Sequence, residues 1–554
     1  MRRSVAALIA ATLLLVTGCA QLPMAGSPHS FPIEAPDREP LGQIGSGPQV
    51  GSTPEQLISD FLRASAAGSF DNYDTAKTYL LPNAAASWQP TAQVTVFSTD
   101  HIPVPELGEE ESGNTAQVTL TIPTKATLGE DGFLHEFGTD TDTTLRFRLA
   151  KQDGEWRIAA LEDGVILSQS SFTTEFSAFN VYFVSADGEE LVADPRWVPR
   201  SRVASHLAQA VLQGPPEILE GAVMSHLAEG LDLATQSVDV AKGVARVDLR
   251  GQAPDDAQSR RLLKWEITET LKQSATVTDV VITVNDVNLD APEPPMGPAY
   301  SLERLVWLQE GAINAGLSSD NRVVVPAEGV GENPAYPAVG PLTDSPLAWI
   351  GNDDTVSIAQ STGGEVRTVE LAGPSKPSID RWGNVWTTTA GNRGEIVVIQ
   401  PGAEPSPVAT GLSEQEVVQV AVSPGGARIA LLTRSGGVWI GTLVRDSEGK
   451  VSVSRLSPEE RLVDSVLSIS WAGSTTLLTL TNTAVAEPEE RQVRVVPVGG
   501  FLARYPAPDE VRWVNSGVGG SEWITQREDQ AAFQRVGASW RPISGSFEYI
   551  ASPG

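Results

Sequence analysis

The chain has 554 residues, 39 Lys+Arg against 69 Asp+Glu for a formal net charge of −30, and 41% apolar residues. That length exceeds a single hydrophobic core and predicts two to four domains, while the acidic balance excludes a nucleic-acid binder, which needs a basic face to neutralise phosphate. One cysteine in the whole chain excludes an intrachain disulfide, a multi-cysteine metal centre and a CxxC redox pair.

Met1-Arg2-Arg3-Ser4 supplies a basic start and Val5 to Val16 an apolar run too short to span a bilayer, the layout of an export signal. Val16-Thr17-Gly18-Cys19 closes that run and resembles a lipobox, which implies a signal peptide over residues 1–18. It also implies a Cys19 that carries S-diacylglycerol and N-palmitoyl groups. An ordinary secretory signal that happens to contain a cysteine is the competing reading, and the position of the only thiol speaks against it. Two or three acyl chains on one residue attach a protein to a membrane permanently, so the expectation is a lipid-anchored protein on the extracytoplasmic face of the cell membrane. Residues 19–52 follow as a tether, with prolines at 23, 28, 32, 36, 40 and 48 and no hydrophobic period.

Order begins at Thr53-Pro54-Glu55-Gln56, where Thr53 suits the N-cap, Pro54 the first helical position and Gln56 a capping box. Leu57, Ile58, Phe61 and Leu62 repeat at helical spacing, and Tyr73, Ala76, Lys77 and Leu80 mark a second short helix that Pro82 stops. The period then falls to two in Gln93–Phe97, Ala116–Ile122, Thr144–Leu149 and Trp156–Leu161. Residues 53–175 thus read as an α+β domain, and the order resembles the nuclear-transport-factor-2 type of cone, in which a curved sheet wraps a long helix.

A second α+β domain spans residues 176–290. Phe179–Val184 is a strand, and Val203, Leu207, Ala210 and Val211 form a helical stripe that Gly214-Pro215-Pro216 ends. Val244–Leu249 alternates, Leu262, Leu263, Glu266, Ile267 and Leu271 repeat as a helix, and Val280, Ile282 and Val284 close the unit. Val181-Tyr182-Phe183, Gln213-Gly214-Pro215, Val244–Leu249 and Thr276–Val284 are similar to the GerMN domain of spore-germination and cell-envelope proteins. Asn285-Asp286-Val287 departs from it, since that family ends its last strand on a glycine turn.

Asp290–Ala299 is a breaker-rich linker. Beyond it, residues 300–554 carry turn-plus-aromatic signals around Trp349, Trp382, Trp471 and Trp513 and a Ser423-Pro424-Gly425-Gly426 turn. Their marker glycines at 351, 383, 426, 473 and 517 recur every 32 to 47 residues, which is the spacing of four-stranded propeller blades and predicts five or six of them. A pair of β-sandwiches, the alternative, predicts hairpins every ~8–12 residues without the longer period. The succession of lipobox, proline-rich tether, α+β domain, GerMN domain and β-propeller resembles the actinobacterial LpqB lipoprotein family over nearly the whole chain. That resemblance implies a non-enzymatic regulatory partner of a two-component system, contacting the extracellular part of a sensor histidine kinase of the MtrB type and influencing envelope and division control.

Motifs for chemistry are sparse. Histidines 29, 101, 135, 206 and 226 show no HExxH pattern and no metal spacing, and His206 reads as a boundary residue of its helix. Ser447-Glu448-Gly449-Lys450 matches SxxK but enters a strand rather than a helix, and Gly329-Val330-Gly331 lacks the third glycine of a dinucleotide loop. Glu109–Glu111, Asp140 with Asp142, and Asp353-Asp354 can attract Ca²⁺ but read as solvated turns. Tryptophans 382, 386, 439, 471, 513, 523 and 540 suit a stacking surface, though most are expected in the core between blades. No cofactor, metal or catalytic residue is expected. The alternative function is an envelope ligand binder or hydrolase with a pocket in the first domain, using Asp140 and Asp142 near His135.

Overall fold

A computed structural model describes residues 45–554 except 100, 109–112, 228–229, 302–304, 318–319, 352–353, 361–363, 484–489 and 521–522. Cys19, His29, Glu109–Glu111 and Asp353 therefore lie outside the described residues. Residues 45–52 run along the first domain, where the Tyr79 hydroxyl donates to the Ser46 carbonyl at 2.7 Å and the Gly51 amide to Glu155 Oε2 at 2.8 Å.

Thr53 caps α1 (Pro54–Ala66) as its sequence dictates. Its hydroxyl accepts from the Gln56 amide, and the Gln56 side chain accepts from the Thr53 amide at 3.1 Å. Pro82 acts differently from expectation. The helix α2 (Asp74–Lys77) has already ended, and Pro82 opens α3 (Pro82–Ser87) because a first helical position needs no N–H partner and accepts the fixed proline φ.

Six strands follow: β1 (Gln93–Phe97), β2 (Glu106–Leu107), β3 (Thr115–Gly129), β4 (Leu134–Gln152), β5 (Glu155–Ala160) and β6 (Val165–Ser168). They form one sheet in the order β5-β4-β3-β1-β6, with β2 beside β3. β1 and β6 are parallel. β3 and β4 outrun the apolar periods that announce them: Thr139–Asp142 are exposed, Thr141 and Asp142 are held by their pairing with Thr124 and Pro123 of β3, and residues 137–140 fall in a register shift of that ladder. Asp140 and Asp142 consequently sit on a strand, not in a turn. α1 presses Leu57, Ile58 and Phe61 onto this sheet, and the Phe61 ring lies 5.5 Å from Trp88, 6.1 Å from Tyr79 and 6.3 Å from Phe147. Each such fully buried large side chain contributes ~1.5–3 kcal/mol.

Helix α4 (Gln169–Glu175) leads without a break into β7 (Phe176–Val184), which among the described residues pairs only with β8 (Leu191–Pro199). After α5 (Val203–Leu212), the strands β9 (Asp232–Leu233), β10 (Asp239–Ala241) and β11 (Val244–Arg250), helix α6 (Ala257–Leu271), β12 (Asp279–Val284) and β13 (Val287–Asn288) complete the second domain. β11 and β12 are parallel, joined through α6, and both helices pack into one core with them. At the departure from the GerMN pattern, Asn285 and Asp286 take φ of 49° and 65°. They form a two-residue hairpin that sets Val287 opposite Val284, a task Asn and Asp perform at low cost in the left-handed region.

The remaining described residues build six four-stranded sheets. Blade 2 runs Ala335–Val339, Leu347–Ile350, Thr355–Ala359 and Arg367–Glu370. Blade 3 runs Ser378–Ile379, Val385–Thr387, Glu395–Ile399 and Ser406–Ala409. Blade 4 runs Val417–Val422, Arg428–Thr433, Val438–Arg445 and Val451–Pro458. Blade 5 runs Val466–Trp471, Thr476–Thr483, Glu490–Pro497 and Ala503–Pro506, and blade 6 Val511–Asn515, Ile524–Arg527, Ala532–Val536 and Ser539–Pro542. Blade 1 is composite, its strands Leu305–Gln309, Ala312–Leu317 and Asp320–Val325 being completed by Tyr549–Ala551, which pairs with the first of them. A separate apolar cluster fills every gap between neighbouring blades, the last uniting Trp307 and Ile550 with Ile524 and Ala532 across the closure. Inner strands are therefore covered on both faces, which is why Leu347–Ile350 and Arg428–Thr433 are buried throughout rather than alternately.

Trp386 and Trp471 are core, as is Trp349. Trp439, Trp513, Trp523 and Trp540 keep part of their surface exposed, and Trp382 is not a core residue at all. It belongs to the site below.

Candidate functional site

The tip of the β7–β8 hairpin meets the turn that joins the first two strands of blade 3. Ser185 donates its hydroxyl to Asp187 Oδ1 at 2.6 Å, fixing the carboxylate so that Oδ2 accepts from Trp382 Nε1 at 3.1 Å and from the Arg381 guanidinium. Arg381, buried, also places Nε 3.1 Å from Glu190 Oε2, and Glu190 accepts the Tyr300 hydroxyl from the linker before blade 1. Burial alone raises the Asp187 carboxyl, but the Ser185 hydrogen bond and the Arg381 charge outweigh it and hold it below its ordinary value. Glu190 is shifted the other way, because its burial dominates over Arg381 and Tyr300.

Trp382 lies between two cations, with the guanidinium carbons of Arg381 and Arg445 at 3.9 Å and 4.2 Å from the ring, each worth ~0.5–2 kcal/mol. The pair Gly425-Gly426, a turn signal in the sequence, is the seat for these groups. A Cβ on Gly426 meets Trp382 Cζ3 at 2.3 Å, and one on Gly425 meets Glu190 Oε1 at 2.9 Å. Asp380, fully buried, accepts from the Trp382 and Asn384 amides through Oδ1 and from Asn384 Nδ2 and Trp386 Nε1 through Oδ2; burial raises its carboxyl.

One blade further, buried Arg428 donates to the Ala193 carbonyl of β8 at 2.7 Å and to the Ser474 carbonyl of blade 5 at 3.2 Å. Beside it Asp194 pairs with Arg196 at 2.6 Å, and Arg196 reaches Asp131 of the first domain at 3.0 Å. The three domains meet at an aromatic node. Phe172 of α4 lies 5.0 Å from Trp197 of β8 and 5.7 Å from Phe501 of blade 5, and Trp197 Nε1 donates to the Gly499 carbonyl at 2.8 Å. Glu136 of β4 accepts from the Leu502 amide at 2.6 Å. A cleft of about 400 Å³ opens beside Trp382, walled by both the second domain and blades 3 and 4.

The structure does not assemble the histidines. His101 packs edge-on to Phe97 at 6.3 Å and His135 against Phe133 at 4.9 Å, and the register shift at residues 137–140 of β4 separates His135 from Asp142. His206 is half-buried on α5, and burial with the nearby Arg202 charge pushes its imidazole down to about 4. Burial also lowers His226. Among the described residues no group of three His, Cys, Asp or Glu is placed to hold a metal ion. Ser447 and Gly449 lie on the turn between the last two strands of blade 4, at the cleft mouth. Asp354 accepts the Gly373 amide at 3.0 Å, and Val330 is buried, its carbonyl taking Trp349 Nε1 at 2.9 Å.

Sequence reasoning did not foresee Arg381, Arg428, Glu190 or Asp194. For Arg428 and Asp194 the signal is a charge inside an apolar run, Ala427-Arg428-Ile429-Ala430 and Val192-Ala193-Asp194, because a charge buried in a strand requires a partner; Arg381 and Glu190 carry no such signal. Among the described residues no helix is long and apolar enough to cross a membrane.

Three family profiles match the chain in succession: "Lipoprotein LpqB, N-terminal domain" over residues 47–173, "Sporulation and spore germination" over 180–290, and "Lipoprotein LpqB beta-propeller domain" over 315–550. Lipoprotein LpqB of Nocardia farcinica is 26% identical over 85% of this chain and 84% of its own length. The protein of that name in Rhodococcus opacus is 32% identical over 49% of this chain and 46% of its own. Virginiamycin B lyase of Staphylococcus aureus aligns with 44% of this chain and 83% of its own at 10% identity and a TM-score of 0.31, a likeness that carries no functional weight.

Proposed function

Because the chain belongs to the LpqB lipoprotein family, we propose that it is a lipid-anchored, non-enzymatic interaction partner of a two-component sensor kinase of the MtrB type. It is held at Cys19 on the extracytoplasmic face of the membrane. The observation that carries the reading is the use made of buried charge. Buried Arg381 and Glu190 bring Asp187 and Tyr300 into one network across the boundary between the second domain and the propeller, buried Arg428 reaches the Ala193 carbonyl across it, and buried Arg196 pairs both with Asp194 and with Asp131 of the first domain. This binds three domains into one presenting surface instead of lining a reaction centre. The first domain is read as a cone of the nuclear-transport-factor-2 type, and its interior is filled by Phe61, Tyr79, Trp88 and Phe147, which speaks against a pocket enzyme there.

Confinement of both partners to one bilayer raises their effective concentration, so a contact of only micromolar strength in solution (~8 kcal/mol) is occupied in place. The test is in cells: crosslinking of the anchored protein to the kinase, and expression of the genes its regulator controls, each compared with a secreted protein lacking Cys19. Loss of both on release supports the reading; unchanged expression in a strain without the protein overturns it.

A further inference from the structure

The cleft beside Trp382 has the size and composition of a small-molecule site. At about 400 Å³ it falls in the ~300–1,000 Å³ range of such sites, and it lies at a domain junction, where they concentrate. Val192 and Ala222 of the second domain and Leu443 and Val451 of the propeller give it an apolar wall.

Its polar groups are unequal. Asp187 and Asp380 accept from partners on both carboxylate oxygens. Arg381 is consumed by Asp187, Glu189 and Glu190. Arg445 is different. It meets the Gly449 carbonyl at 3.2 Å and Asp380 Oδ2 only at 3.6 Å, its Nε has no hydrogen-bond partner, and a fifth of its side chain remains exposed. A guanidinium has five donors in a plane matched to a carboxylate, and the Trp382 ring holds this one in orientation, so little is lost in ordering it when a ligand arrives.

We propose that this cleft binds an organic carboxylate with an apolar body, its carboxylate on Arg445 and its body against Ala222, Leu443 and Val451. Occupancy bridges the second domain and the propeller. Binding here does not depend on the kinase contact.

The test uses the unlipidated Cys19→Ala chain and two isosteric probes, 2-naphthoate and neutral 2-naphthamide, titrated by calorimetry. The carboxylate binds one per chain and at least ~10-fold tighter than the amide, as a charge-assisted bidentate contact requires. Arg445→Gln removes that preference. Ser447→Trp, an exposed turn residue at the mouth, blocks both probes while leaving the melting temperature unchanged. It keeps the test independent of Arg445→Gln, whose folding is checked by the same melt. No binding at millimolar 2-naphthoate, equal affinity for the two probes, or binding untouched by Ser447→Trp overturns the proposal.

Discussion

The guanidinium of Arg428 and the main-chain carbonyl of Ala193, one on blade 4 and the other on β8, meet at 2.7 Å with both residues buried. Arg428→Met removes this bond and the 3.2 Å bond to Ser474, and leaves Asp194 with Arg196 as its nearest cation. Breaking a buried charged contact from one side costs ~3–5 kcal/mol. The parent is expected to melt in one calorimetric transition and Arg428→Met in two, as the second domain and propeller melt separately, with protease gaining access to residues 290–299. One unchanged transition contradicts the role given to Arg428.

Gly426 and Gly449 both have left-handed φ, +73° and +81°, so alanine strains both backbones alike; only at Gly426 does the new Cβ strike a neighbour, Trp382 Cζ3 at 2.3 Å. Trp382 is pinned by Asp187 and two guanidiniums and cannot step aside. Gly426→Ala is therefore expected to cost ~1–3 kcal/mol more than Gly449→Ala in urea midpoints, and the difference to shrink in a Trp382→Ala background.

Glu266 on α6 is buried, and burial raises its carboxyl from 4.5 to about 8 against the opposing hydrogen bond from the Val184 amide. The folded chain then holds this proton more tightly than the unfolded one. The stability Glu266 contributes is complete below pH 4.5 and is lost as pH rises through about 8. Glu266→Gln keeps the acceptor for Val184. Its melting temperature is expected to match the parent at pH 5 and to exceed it at pH 9, by on the order of a few kcal/mol in stability. His206 acts at the other end, its imidazole at about 4 making stability fall as pH drops below its ordinary 6.5.

Cys19→Ala is expected to move the protein from washed membranes to the soluble fraction, since the apolar run before it is too short to span. Retention in high salt after processing by another peptidase rules out a sole lipid anchor.

Deleting residues 549–554 strips blade 1 of its innermost strand and the Trp307, Ile524 and Ile550 cluster of a member. The truncated protein is expected to lose its β-type circular dichroism transition or to aggregate, and a normal cooperative melt contradicts the closure.

Signals that act within a few residues were legible. The Thr53 capping box, the Gly214-Pro215 helix stop and the blade-spaced turns all rest on local backbone chemistry, and the structure builds helices and sheets on them. β8 was not legible, because Asp194-Pro195 reads as a loop until Arg196, two residues on in the same strand, and Arg428 of blade 4 neutralise the charge. Gly425-Gly426 was legible as a turn but not as a seat, since Glu190 and Trp382 come from elsewhere in the chain. The tryptophan pattern misled at Trp382 for the same reason. Its spacing fits a blade core, and only the hairpin tip of another domain gives it a different neighbour.

The composite first blade also orders events in time. Strand Leu305–Gln309 is made early and Tyr549–Ala551 only after the five other blades, so during synthesis the ring waits open with a bare strand edge beside Val306 and Leu308. Contacts so distant in sequence form slowly, and an unpaired apolar edge invites foreign strands. The first domain, whose strands all lie within residues 93–168, is finished long before, and offers the waiting propeller a solid surface on which to assemble.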